Sequence, residues 1–500
     1  MWLLNVKTLE LEEFVGDNIP DYVILSHRWG SDEVSFVDMK KPKYREPAKH
    51  KAGFAKIERC CLQAQSDGYA WAWVDSCCID KRSSAELSEA INSMFQWYQR
   101  SSRCYVYLSD VPSGSEALPM LRKSGWFTRG WTLQELLAPE TIVFFAHDWI
   151  AIGYKESRRR HENRRVSSLR GVEWDGRFLC PNLAVELSGI TGIPTEFLVG
   201  DQDLGQACVA QRMFWASYRE TTRAEDRAYS LMGLFNVNMP ILYGEGLEKA
   251  FTRLQREIMS KTPDQSIFAW YRSDATSYRL LAESPDCFRN SGTVTLGPRG
   301  SPSPRITPKW SSFSMTNLGL RVTLPITPIR GSDAFSPGDG TLAVLNCLFS
   351  EDNGTRRNIG LNILFLDRDL EECPIFVCDR PCRWTLIGGE MRPMDMLLCG
   401  NDYISDLPKK KIATQAGIPE PRSIESQLLH ILADETGFSR DDITDEHVLT
   451  DLGVDSLMRI IIVARIRNEM QLDLGIRLLT GDPSIRAIKR YLGMVPYVVG

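Results

Sequence analysis

Between residues 22 and 145, short apolar runs and amphipathic stretches take turns, and this alternation constrains the fold more than any other feature of the chain. Tyr22-Val-Ile-Leu-Ser26 is a β-branched apolar run. Residues 54–65 carry apolar side chains at helical spacing, and 69–74 form an aromatic strand pattern ending at Asp75. Residues 87–98 place Ile91, Met94, Phe95 and Tyr98 on one helical side, and 104–108 again read as a strand. Residues 131–138 are helical in pattern up to Pro139, and 141–145 give a fourth strand. Parallel strands need a covering crossover, usually a helix, and a sheet covered on both faces has unbroken apolar strands. An α/β architecture, with a parallel sheet and covering helices, is therefore expected over residues 1–150.

The pattern then changes. A polar stretch with Arg158-Arg-Arg160 and Arg164-Arg165 reads as a solvated loop, the alternatives being a nuclear-import or anion site. Helical segments follow over about 195–260, so that residues 1–265 form one domain with a helical extension. Residues 266–400 hold short strands (322–324, 342–345, 363–365 and 375–377) between Gly, Pro, Ser and Asp clusters, which predicts a smaller β-rich domain. Residues 401–422, with Lys409 to Lys411 and three prolines, read as a linker, and 423–495 as an all-α module of four helices. No internal repeat is visible.

Composition narrows the class. Hydrophobic residues are 43% and charged residues 25% of the chain, enough apolar surface for more than one core. A net charge of −5 argues against a general nucleic-acid binder. The N-terminal MWLLNVKTLELEEF lacks the basic start and apolar core of a secretory signal. No apolar run reaches the roughly 18 residues of a membrane span, and Ile460 to Val463 is bracketed by Arg459 and Arg465. The 13 cysteines are scattered, and Cys373, Cys378 and Cys382 fit no zinc spacing. A cytoplasmic protein with reduced thiols is expected.

At the C-terminal end, Asp451-Leu-Gly-Val-Asp-Ser-Leu457 precedes the helical pattern VDSLMRIIIVARIRNEM, and Asp482-Pro-Ser-Ile485 opens a last short helix. Over about 75 residues this region resembles the acyl and peptidyl carrier domain family, and DLGVDSLM resembles the carriers of fungal polyketide synthases in particular. The resemblance implies that Ser456 is the attachment serine for 4′-phosphopantetheine, that Asp455 serves the phosphopantetheinyl transferase and its metal, and that this transferase is a partner. A helix start suits the phosphodiester product, because free N–H groups and the positive dipole end point there. Read alone, Asp455-Ser456 also fits a helix N-cap. Arg459, Arg465 and Arg467 make the helix more basic than in many carriers, which bears on its acyl-handling partners.

Three stretches of the N-terminal half, YVILSHRWG (22–30), AWVDSCCID (72–80) and WFTRGWTLQEL (126–136), resemble the fungal heterokaryon-incompatibility (HET) domain family. WASYRETTRAEDRAYSLMGLF from Trp215, followed by VNMPILYGEG to Gly246, is similar to it too. The resemblance implies non-self recognition leading to programmed cell death, self-association through this domain, and a distant likeness to Toll/interleukin-receptor (TIR) domains. Ser26-His-Arg28 follows the first strand as in TIR domains, and Trp131-Thr-Leu-Gln-Glu135-Leu resembles their W-x-L-x-E-L helix. That likeness implies NAD as a candidate substrate, with Glu135 stabilising an oxocarbenium-like ribose and Arg28 holding a phosphate. The plainer reading pairs Glu135 with Arg129 or makes it a local cap, puts Trp29, Trp126 and Trp131 in the core, and makes Asp75 and Asp80 N-caps.

Three functions are thus expected in parallel: a cell-death signalling protein with a carrier attached, a carrier for a polyketide or related pathway, and an NAD-cleaving enzyme. None of the six histidines sits with a nucleophilic cysteine as carbon–carbon condensation requires. The chain is suited to holding a thioester, not to building one.

Overall fold

A computed structural model of the chain describes residues 1–16, 18–157, 180–271 and 280–296. It further describes the strands between 313 and 399, and residues 424–436, 438, 442–452, 454, 462 and 484–491. These fall into two compact units, Met1–Asp406 and Leu407–Gly500.

The first unit opens with a seven-stranded sheet of β1 (Trp2–Asn5), β2 (Leu11–Glu13), β3 (Tyr22–His27), β4 (Trp71–Val74), β5 (Arg103–Tyr107), β6 (Thr141–Phe145) and β7 (Ala151–Glu156). Its order is β2-β1-β4-β3-β5-β6-β7. The four central strands β4-β3-β5-β6 are parallel, as the alternation predicts. The sheet as a whole is mixed, which corrects the expectation of a parallel one: β1 joins β4, β2 joins β1 and β7 joins β6, all antiparallel. The β1–β2 and β6–β7 pairs are joined by short connections, since an antiparallel neighbour needs no crossover helix, whereas β1 pairs with β4 across β2, β3 and three intervening helices of sequence. Every residue of β3 is buried, the signature of a strand covered on both faces.

The crossovers carry α1 (Phe36–Lys40), α2 (Pro42–Ala48), α3 (Phe54–Ser66), α4 (Ser84–Arg100), α5 (Ala117–Leu121) and α6 (Thr132–Leu137). The α4 start is set by Ser83, whose Oγ accepts from the Glu86 N–H at 3.3 Å. Its inner face buries Ala90, Ile91, Met94, Trp97 and Tyr98. Trp73 of β4 meets Trp97 and Tyr98 edge-on, at 5.6 and 6.0 Å between ring centres. The chain runs from β3 to β4 on one side and then crosses to β5 on the other. The crevice at the carboxyl ends of β3 and β5 is thus the switch point of the sheet, where ligands of open α/β folds bind.

The helical extension holds α7 (Ala184–Thr191), α8 (Thr195–Leu198), α9 (Val209–Ala216), α10 (Asp226–Tyr229) and α11 (Leu247–Lys261). A second sheet follows, of β8 (Val294–Leu296), β9 (Phe313–Met315), β10 (Leu320–Pro328), β11 (Gly340–Ser350), β12 (Arg356–Arg368), β13 (Pro374–Arg383) and β14 (Arg392–Cys399). Its order is β8-β11-β12-β13-β14-β10-β9, and β10 also pairs with β11, closing five strands into a circuit. Closure removes the free edges that long strands otherwise expose. The core of the first sheet continues through the extension into Leu320, Val322, Leu345 and Ile359 of the second.

In the second unit, α12 (Ile424–Thr436) and α13 (Ile485–Tyr491) are described, and Ile462 lies in a helix between them. Leu428, Ile431, Leu432, Ile443, Leu449, Leu452, Val454, Ile462, Ile485 and Ile488 form a separate apolar core. Asp445 ties the α13 end down through Lys489 at 2.5 Å.

Candidate functional site

The sequence-predicted Glu135 and Ser26 meet at the switch point. Ser26, the next-to-last residue of β3, donates from Oγ to Glu135 Oε2 at 2.5 Å and accepts from the Trp126 indole N–H at 2.8 Å. All three are buried, Ser26 and Trp126 completely. Tyr98 also faces this carboxyl. Burial pushes Glu135 up to about 8, against the hydrogen bond from Ser26, so its carboxyl is mostly protonated at neutral pH.

Helix α6, which carries Glu135, is buried at every position. Arg219 reaches it from beyond α9, donating to Arg129 O at 2.9 Å and to Thr132 Oγ1 at 3.0 Å. Glu220 and the 128–130 backbone exchange two more bonds, Gly130 N to Glu220 O at 2.8 Å and Glu220 N to Thr128 O at 2.6 Å. Burial lowers Arg219 to about 9, with Glu135 opposing. The motif around Glu135 is therefore pinned by the helical extension.

Of the other predicted residues, Arg28 lies just past β3 with its guanidinium half exposed, 3.6 Å from Asp110. Trp126 is a core residue, whereas Trp29 is 45% exposed. Asp80 holds Arg82 through two bonds, at 2.6 and 2.8 Å. Asp75 accepts from the Trp29 indole at 2.7 Å.

Beside this pair lies a polar cluster that sequence reasoning did not assemble. His27 Nε2 sits 3.8 Å from Asp75 Oδ1 and 3.9 Å from Glu33 Oε2. Burial, followed by Lys56, lowers His27 to about 3, so the imidazole is neutral and neither contact is an ion pair. Glu33 is engaged through Oε1 with Lys56 and with the Gly30 N–H. His27 Nδ1 and Nε2, Glu33 Oε2, Asp75 Oδ1 and Ser76 Oγ are buried with no hydrogen-bond partner among the described residues. Each such atom costs about 1–3 kcal/mol. A cavity of about 210 Å³ opens against Glu33 and Ser76. The signal in the sequence was thin: Glu33 stands singly between β3 and α1, Lys56 on α3, and Ser76 between β4 and α4.

The second motif region is held by carboxylates. Glu225 Oε1 accepts from the N–H groups of Gly244 and Gly246, at 2.8 and 3.1 Å, and its own backbone N–H, followed by these two contacts, keeps the carboxyl below the usual range. Both glycines have positive φ, +99° and +82°, which explains the residue type. Tyr229 donates to Glu245 at 2.7 Å and Tyr243 to Asp226 at 3.0 Å.

In the second unit, Asp455 and Ser456 lie outside the described residues. The chain is anchored on both sides of them. Val454 is buried and non-helical, Ile462 is buried and helical, and Asp451 caps the preceding turn by accepting from the Val448 N–H at 3.2 Å.

Comparison with known proteins agrees with this layout. Residues 22–123 match the family described as heterokaryon incompatibility protein (HET), and 426–492 the phosphopantetheine attachment site. Residues 249–278 match a domain of unknown function, DUF8212. The vegetative incompatibility protein HET-E-1 of Podospora anserina is 43% identical over 249 residues, 48% of this chain and 16% of that protein. The non-reducing polyketide synthase albA of Aspergillus niger is 36% identical over 80 residues, and the norsolorinic acid synthase of Dothistroma septosporum 31% over 86. These cover 16% and 17% of this chain and 4% of each synthase. The chain thus spans only a small part of the length of these relatives. No helix among the described residues is long and apolar enough to cross a membrane. The chain carries a heterokaryon-incompatibility domain in its N-terminal half and a phosphopantetheine carrier domain, resembling those of fungal polyketide synthases, at its C-terminal end.

Proposed function

We propose that this chain is a signalling protein of fungal non-self recognition in which a death-inducing HET domain is governed by a carrier domain bearing 4′-phosphopantetheine on Ser456. The observation that carries the reading is the presence of both domain matches in one chain, in separate compact units. A phosphopantetheinyl transferase supplies the arm: the Ser456 hydroxyl attacks the phosphate of coenzyme A, and the adenosine bisphosphate leaves. The bound arm provides a thiol that holds an acyl group as a thioester. Asp455 serves the transferase and its metal. Polyketide synthases or other acyl-handling enzymes are the partners that load it, and the HET domain self-associates on activation.

Coexpression with a promiscuous transferase tests this: intact mass should rise by about 340 Da and stay unchanged in Ser456→Ala. Deleting residues 1–400 separates signalling from biosynthesis. A metabolite pathway that survives on the remaining carrier favours a purely metabolic role.

The meeting of Ser26 and Glu135 at the strand ends favours a second reading, in which the HET domain cleaves the nicotinamide–ribose bond of NAD and Arg28 holds a phosphate. Glu135 must then be ionised to stabilise an oxocarbenium-like ribose. With its pKa near 8, activity should climb with pH through that value. Glu135→Gln should abolish both NAD loss and toxicity on overexpression. Full toxicity with NAD unchanged eliminates this reading.

A further inference from the structure

Arg28 differs from the other residues at the strand ends in that its guanidinium is held in place and still unspent. It is nearly half exposed, and its charge contact with Asp110 Oδ2 is 3.6 Å long, beyond hydrogen-bonding distance. Asp110 is not free to close on it as a two-pronged partner. Its Oδ1 already accepts from the Ser124 hydroxyl and its Oδ2 from the Gly125 N–H, both at 2.8 Å. The guanidinium lies instead against Gly125. A Cβ on that glycine would stand 2.9 Å from Arg28 Cζ and nearer still to Nη1, and its three nearest neighbours would all be Arg28 atoms. Gly125 is not among the glycines with positive φ, so its backbone does not call for glycine; the space taken by Arg28 does. This shelf is continuous with the buried pair. Ser124 Oγ accepts from the Trp126 N–H at 3.3 Å, and the Trp126 indole donates to Ser26 Oγ, which holds Glu135.

We propose that Gly125 is a positioning residue, which seats the Arg28 guanidinium against its own peptide so that the open fork receives a phosphate or pyrophosphate group of the substrate. The proposal rests on the NAD reading, in which Arg28 holds a phosphate. A planar guanidinium matches two oxygens of such a group, and a fork fixed before binding loses less freedom than a loose one. Asp110 serves the same end, since one carboxylate fixes the shelf through Ser124 and Gly125 and steers the charge that rests on it. An ion pair that only fastened the loop after β3 to the loop after β5 would need no glycine at 125, because the end of a flexible side chain can swing aside for a methyl group. The glycine matters where the guanidinium must stay.

The test is calorimetric titration of the full chain with inorganic pyrophosphate and with ADP-ribose at low salt. In Gly125→Ala the displaced atoms are the end of a flexible side chain, so the melting temperature should match the parent's. The variant should nonetheless bind pyrophosphate about five- to ten-fold more weakly, and Arg28→Ala at least as weakly. Adding Gly125→Ala to Arg28→Ala should cost nothing more, because the glycine acts only through that arginine. Arg28→Lys, which keeps the charge and loses the fork, should bind about as weakly as Gly125→Ala. No pyrophosphate binding by the parent overturns the proposal. So does parent-like binding in Gly125→Ala or Arg28→Lys, and so does a further loss when Gly125→Ala is added to Arg28→Ala. Failure of the NAD reading is seen separately, as a chain that binds ADP-ribose through Arg28 and Gly125 and leaves NAD uncleaved.

Discussion

Ser26 is the residue on which the buried network turns, because one hydroxyl serves two partners that water cannot reach. Ser26→Ala leaves the Trp126 indole N–H and the Glu135 carboxyl each short of a bond. An orphaned buried group costs about 1–3 kcal/mol. The variant should therefore unfold at markedly lower urea, while Ser26→Thr, which keeps the hydroxyl, recovers part of the loss. Glu135 adds a pH signature. Its folded pKa of about 8 lies above its ordinary 4.5, so the folded state holds the extra proton in between. The stability this brings is complete below pH 4.5 and lost as pH rises through 8, with a slope of at most about 1.4 kcal/mol per unit. His27 acts in the opposite sense. Lowered from 6.5 to about 3, it contributes above pH 6.5 and loses that contribution as pH falls toward 3. The parent should lose stability relative to Glu135→Gln steadily as pH rises from 4.5 to 8 in urea titrations; a constant difference would mean the carboxyl is ionised in the fold.

Among the elements, α6 depends on a neighbour far away in sequence. Arg219 satisfies Arg129 O and Thr132 Oγ1 from 87 to 90 positions further along the chain. Arg219→Met keeps the stem and removes these charged hydrogen bonds, which should cost about 2–3 kcal/mol. Hydrogen exchange should speed up over 126–137 and remain unchanged in β1 and β2. This clamp also marks the limit of what sequence conveys. The central strands and α3, α4 and α6 were legible, because burial on two faces leaves unbroken apolar runs and a covering helix leaves a periodic stripe. β1, β2 and β7 were not read, since a short edge strand needs only an occasional buried residue, as in the single buried position of β2. The pairing of Ser26 with Glu135 spans 109 positions and leaves no local pattern, although both residues were visible as motif members. Glu33 and Lys56 of the β3–β4 crossover met Asp75 and Ser76 of the loop after β4 only once both connections folded onto one end of the sheet.

At the scale of the whole molecule, the two units have separate apolar cores, one built from residues between Leu3 and Ile359 and the other from residues between Leu428 and Ile488. Among the described residues no core side chain belongs to both clusters, and each unit should melt with its own cooperativity. The boundary at Asp406 and Leu407 falls within the lysine- and proline-bearing stretch 401–422. Limited digestion with a lysine-specific protease, which spares the arginine-rich stretch 158–165, should cut at Lys409 to Lys411 and give two fragments whose calorimetric transitions match those of the intact chain. The same cut locates the modification. After coexpression with a transferase, the added mass of about 340 Da should appear only on the C-terminal fragment. Its appearance on the larger fragment would remove Ser456 from the role assigned to it. Loss of the larger fragment's transition on cleavage would show that the HET-bearing unit leans on the carrier to stay folded, in conflict with the separation of the cores.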